Sequence, residues 1–222
     1  GDNLIKDEGA ISIGLNTTWA SLEILDLENN RFGDKGAAMI GKNRTWSKLI
    51  RLNLSSNEIG DEGALSIGSN TTWTKLEVLC LQRNLIRHQG AKAIGQNTQW
   101  VNLTKLSLSE NIIRDKGAIE IGRNRVWTEL EELLLDDNVI GNDGAKALGE
   151  NTTWRNLKVL SLANNKIGDE GAISIGSNKT WVDLEHLNLQ ENKVGEKGAA
   201  ALKSNSAWKN LSWLNYDQKY RW

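Results

Sequence analysis

Four residue types in this 222-residue chain could carry chemistry, and two of them recur in columns. The acids Asp34, Asp61, Asp115, Asp169 and Glu196 have the regularity of a cation-binding row. Each, however, stands directly before a run of helix formers, where a side-chain oxygen is needed to satisfy free backbone amides. Capping of the helix that each one opens is therefore the expected role. Asn-x-Thr triplets begin at Asn16, Asn43, Asn70, Asn151 and Asn178 and match the glycosylation acceptor on what reads as an exposed turn. The same column reads Asn97-Thr-Gln, Asn124-Arg-Val and Asn205-Ser-Ala elsewhere, so a turn requirement explains it and glycosylation is not expected. The only cysteine is Cys80, at a strand position where a solitary thiol is ordinarily a tolerated small side chain. His88 and His186 fall about four strand spacings, or roughly 20 Å, apart, outside one catalytic constellation. No phosphate loop, paired-cysteine zinc pattern, HExxH or nucleophile elbow is present, so the sequence predicts no enzyme, metal or cofactor.

The bulk charge narrows the partners. Lys and Arg number 27 against 28 Asp and Glu, a net charge of -1, which offers no overall basic excess for nucleic acid or anionic lipid. No apolar run reaches the roughly 18 residues of a membrane helix. A lone cysteine cannot form an internal disulfide, which makes the reducing interior of a cell the expected compartment.

The elements that carry these columns follow from a period. Trp19, Trp46, Trp73, Trp100, Trp127, Trp154, Trp181 and Trp208 are spaced 27 apart, as are Gly9 to Gly198, Leu22 to Leu211 and Asn30 to Asn192. One unit, Leu22 to Lys48, reads LEILDLENNRFGDKGAAMIGKNRTWSK. Leu25 and Leu27 alternate with Asp26, the period of a short strand; Ala37 and Ile40 form an i, i+3 apolar pair on a short helix that Gly41 is placed to end. Asn43 then opens a turn that returns Trp46 and Leu49 to the interior. A unit of this size cannot bury its own Leu, Ile and Trp, so neighbours must stack. The tryptophans then belong to the core between the strand and helix layers, and the Asn30 column to a ladder satisfying backbone groups of the bending loop.

Leu49-Ile-Arg-Leu52-Asn-Leu54-Ser-Ser-Asn57 followed by Ile59-Gly-Asp-Glu-Gly-Ala64 resembles the leucine-rich repeats of the ribonuclease-inhibitor type, also found in Nod-like receptors. The resemblance covers nearly the whole chain, in seven full units from Leu22 with partial units at both ends. It implies one α/β solenoid domain over residues 1–222, a curved horseshoe segment with a parallel sheet on the concave face and short helices on the convex face. It also implies a binding scaffold rather than a catalyst.

With the repeated columns assigned to structure, function is left to those that vary. Units three to five replace a polar residue by Leu85, Ile112 and Val139, where other units carry Arg31, Glu58, Lys166 and Lys193. Around this trio stand Arg83, Arg87, His88, Glu110, Arg114, Asp136 and Asp137, with Leu134 on the adjoining strand. An apolar centre with a charged rim is how a protein- or peptide-binding patch is composed. The opposing reading, supported by the regularity of the units, is a consensus-like or engineered array with no natural ligand. An open first unit, Asn3 to Trp19, predicts weak self-association through the N-terminal end, with Tyr216, Tyr220 and Trp222 shielding the other.

Overall fold

The computed structural model describes residues 3–216. Eight strands alternate with eight helices and form one open parallel sheet in the order β1 to β8. The strands are β1 (Ile24–Asp26), β2 (Arg51–Asn53), β3 (Val78–Cys80), β4 (Lys105–Ser107), β5 (Glu132–Leu134), β6 (Val159–Ser161), β7 (His186–Asn188) and β8 (Trp213–Asn215). The helices are α1 (Lys6–Gly14), α2 (Asp34–Lys42), α3 (Asp61–Gly68), α4 (His88–Gly95), α5 (Arg114–Arg123), α6 (Asn142–Gly149), α7 (Asp169–Gly176) and α8 (Glu196–Lys203). Ile24 pairs with Arg51 and Arg51 with Val78, so the register advances by one whole unit at every strand. That zero-offset register is why residues 27 apart stand as neighbours.

The core lies between the two layers. Trp46, Trp73, Trp100, Trp127, Trp154 and Trp181 are fully buried, as the sequence predicts, whereas Trp19 in the first unit is 42% exposed. The rings of Trp181 and Trp208 are stacked, 6.5 Å between centroids. The indole nitrogens from Trp46 to Trp208 have no hydrogen-bond partner among the described residues, so these side chains act by packing alone. At the far end the half-buried Tyr216 lies under Lys203, whose Nζ is 5.4 Å from the ring centroid. Tyr220 and Trp222 lie outside the described residues.

Two asparagine ladders stitch the units together. Asn57 Nδ2 donates to the carbonyls of Leu27, Leu54 and Ser55 while its Oδ1 accepts from Asn30 N, and Asn84 to Asn192 occupy equivalent places. The second ladder differs from the expected exposed turn. Asn43, Asn70, Asn151 and Asn178 are buried, each donating to two carbonyls of the preceding unit, as Asn43 Nδ2 does to Gly14 and Asn16 at 2.8 Å. A glycan on these amides would destroy that pairing.

The glycines also have another role than the sequence suggests. No glycine among the described residues has positive φ, so Gly41 is not a left-handed helix cap. A Cβ on Gly41 would lie 2.5 Å from the Ser66 backbone of α3, and Gly68, Gly95, Gly122 and Gly149 meet their following helices in the same way. This column is glycine because neighbouring helices touch there backbone to backbone.

Candidate functional site

The acidic column does cap helices, but not its own. No helix has a side-chain bond from its N-cap residue; instead Asp34 Oδ1 accepts from Gly60 N and Gly63 N, both at 2.8 Å, at the start of α3. Asp7, Asp61, Asp115, Asn142 and Asp169 likewise serve α2, α4, α6, α7 and α8. Each of these side-chain oxygens reaches forward one unit, because helices held close by glycine bring the next helix's first-turn amides within its range.

At the start of α5 this device is missing, because His88 occupies the place of the acid. The backbone compensates. Gly117 N turns to the Ile113 carbonyl at 3.1 Å, and Arg114 N reaches forward to the Asn138 carbonyl at 3.0 Å. Arg114 then enters α5 with φ 56° and Val139 takes φ 61°. The regular bond to the preceding loop, seen from Leu85 N to Ile59 O and from Ile112 N to Ile86 O, is not formed by Val139 N among the described residues, and Ile113 O accepts from Gly117 N. The first unit, whose α1 has no preceding described acid, shows the same pattern: Lys6 φ 51°, Arg31 φ 55°, Gly9 N to Ile5 O and Lys6 N to Asn30 O. A positive φ is strained for any side chain and more so for β-branched Val139.

The surface that results holds most of the residues singled out by the sequence. Leu85 is 55% exposed and Val139 37%, while Ile112 and Leu134 are half-buried. Arg87 pairs with Ile112 through an isolated parallel bridge, which extends the inter-unit pairing into this loop. His88 is half-buried, whereas Arg87 and Arg114 are exposed. Between α4 and α5 a depression of about 350 Å³ is lined by His88, Gln89, Lys92, Lys116, Ile119, Glu120 and Arg123.

The rim acids are already engaged. Glu110 holds Arg83 at 2.8 Å, and this hydrogen bond and charge push the Arg83 guanidinium further up. Asp136 accepts from Ser109 Oγ, Ser161 Oγ and Ala163 N, so it ties three units together rather than standing free on the rim. Asp137 accepts from Asn164 Nδ2; loss of solvation, reinforced by the Glu110 and Asp136 charges, nevertheless raises its carboxyl above the usual range. Arg83, Glu110 and Asp137 all sit at a position that is left-handed in every full unit, with φ from 50° to 57° between Asn29 and Glu191. The sequence gives no sign of this, because no glycine stands there. Their amides donate forward to the next unit, as Arg83 N does to Ser109 O, which is what the turn achieves.

On the sheet face, Lys105 pairs with Glu132 and Lys158 with Glu131, and His186 lies 6.3 Å from the Trp213 ring. Cys80 is buried, and desolvation raises its thiol pKa, which makes it a poor nucleophile. No group of three or more His, Cys, Asp or Glu among the described residues could hold a metal ion, and no helix there is long and apolar enough to cross a membrane.

The Leucine Rich repeat family model matches residues 20–41, 47–68, 101–122, 128–149, 155–176 and 183–203. The chain belongs to the leucine-rich repeat family. The unmatched stretch between the second and third segments contains Cys80, Arg83, Leu85 and His88, the residue that stands in place of the acid needed by α5 of the following, matched segment. Among curated proteins no sequence matches. Among solved structures the chain is similar to the leucine-rich repeat ectodomain of the Arabidopsis receptor kinase HAESA, solved in complex with an N-terminally extended IDA peptide hormone. The TM-score is 0.58 at 21% identity, over 89% of this chain and 30% of that one. The chain therefore spans less than a third of that ectodomain.

Proposed function

We propose that this leucine-rich repeat chain is a non-catalytic recognition scaffold that binds a protein or peptide across the loops of its central units, with the adjoining sheet face as the flank. The observation that carries this reading is the coincidence of two departures at one place: exposed Leu85 and Val139 occur where the inter-unit capping is interrupted by His88. Apart from the first unit, where Leu4 is also exposed and α1 lacks the forward cap, the same column is charged and the capping regular. Strained backbone and exposed apolar side chains both cost stability, and their concentration in three consecutive units favours a binding role over a uniform, ligand-free array. The HAESA ectodomain, which has the same fold and was solved with a peptide hormone, is a precedent for peptide recognition by this fold.

The test is selection of a phage-displayed random dodecapeptide library on the chain, with counter-selection on Leu85→Glu/Ile112→Lys/Val139→Lys, which restores the polar column. Saturable binders lost in that variant support the proposal. Failure to enrich any peptide, or binders indifferent to the three substitutions, would overturn it in favour of the ligand-free array.

A further inference from the structure

The charge left uncompensated on the central surface is cationic, and it occupies a column that is otherwise almost free of side chains. Gly33, Gly60, Gly141, Gly168 and Gly195 stand at the residue before the acidic column; only Lys6, Arg87 and Arg114 carry a side chain there. Arg87 and Arg114 are on consecutive units, at the starts of α4 and α5, both exposed and neither in an ion pair among the described residues. The nearby carboxylates form no ion pair with them among the described residues: Asp61 Oδ1 accepts the amides of Arg87 and Gly90, Asp115 Oδ1 those of Gly141 and Gly144, and Glu110 holds Arg83. His88 removes the one acid that regular capping would have placed between them. Lys92 and Lys116, which line the depression between α4 and α5, have no ion pair among the described residues and extend the same charge.

Resting on the scaffold reading, we infer that the central loops select an acidic peptide segment, in which an apolar side chain contacts Leu85 and Val139 while neighbouring Asp or Glu carboxylates engage the Arg87–Arg114 pair. Guanidinium groups suit this role because their forked donors meet a carboxylate through two parallel hydrogen bonds. Two of them on adjacent units, beside exposed aliphatics, set both the charge and the spacing of the ligand. The chain's net charge of -1 hides this local excess.

The test pans the same dodecapeptide library in parallel on the chain and on Arg87→Gly/Arg114→Gly. Glycine is the residue of the regular units at both positions and accepts the left-handed backbone of residue 114, so this variant folds without new strain. The expected result is enrichment of Asp and Glu next to an apolar residue on the parent chain and not on the variant. The best parent-selected peptide, labelled and followed by fluorescence anisotropy, should lose at least tenfold in affinity on the glycine variant. It should lose a similar factor when its carboxylates become amides, and it should weaken as salt rises. Motifs without acidic bias, or equal affinity for the glycine variant, would overturn the inference. If such peptides still depend on Leu85, Ile112 and Val139, the scaffold reading survives that failure. If nothing enriches on either protein, both proposals fall.

Discussion

The junction between α2 and α3 and the junction between α4 and α5 have the same chain length and the same buried core, yet their backbones differ because of one side chain. Asp34 fixes the first turn of α3 from the preceding unit; His88 cannot do this for α5, and the chain replaces the lost acceptor with its own carbonyls. The effect spreads no further than Arg114 and Val139, in the next unit and the one after, while Trp100, Trp127 and Trp154 stay fully buried beneath. Surface loops in this architecture can therefore be reshaped without disturbing the core. Structure is uniform in depth and individual at the rim.

The largest effect that tests this separation lies in the core. Trp100→Ala and Trp154→Ala should each destabilise the chain by about 3–5 kcal/mol in denaturant melts. A markedly smaller loss for Trp100, which sits under the irregular junction, would show that the disturbance does reach the core. Trp100→Phe should be milder than its size suggests, because it removes an indole N–H that has no partner.

Next in size is the cap itself. Asp34→Ala should cost about 1–2 kcal/mol, and native-state hydrogen exchange should accelerate at Gly60 and Gly63 in α3 rather than at the start of α2. Faster exchange confined to the start of α2 would mean that the capping acts within a unit. In the opposite direction, His88→Asp should stabilise by about 0.5–1.5 kcal/mol and slow exchange at Gly117. An unchanged melt would show that the carbonyl substitutes serve α5 as well as a carboxylate does.

The smallest effect concerns the rim. Burial raises the folded-state pKa of Asp137 above its unfolded value, so the folded protein binds this proton more readily than the unfolded chain. Its ionised form therefore lowers stability at neutral pH, and that penalty fades as pH falls through the carboxylate range. Asp137→Asn should be slightly more stable than the parent at pH 7 and indistinguishable from it in acid. A difference that grows in acid would contradict the desolvated environment assigned to this carboxylate.

The period, the strand and helix layers, the buried tryptophans and the Asn30 ladder were legible in the sequence because each depends on a residue type repeated at one phase. Direction was not legible. A column of acids announces capping, but only the close helix packing at Gly41 and its equivalents determines that Asp34 serves α3. The left-handed turn through Asn29, Ser56 and Arg83 was hidden for a different reason: a forward backbone hydrogen bond holds it, and no glycine marks it. The central patch could be read from Leu85, Ile112 and Val139 as composition. The backbone rearrangement that accompanies it depends on the absence of one acid at His88, and an absence has no periodic signal.

The reciprocal reach of the two columns, Asp34 forward to α3 and Asn43 back to the carbonyls of Gly14 and Asn16, makes the unit a self-sealing insertion cassette. A deletion of residues 62–88 removes one full period and joins Asp61 to Gln89, which places an acid ahead of Arg114 and Gly117 where His88 now stands. The severed capping and asparagine-ladder bonds find equivalent partners across the scar. Recombination in steps of 27 residues can thus lengthen, shorten or regularise this chain, whereas an excision out of step by even one residue strands donors and acceptors on both sides of the cut.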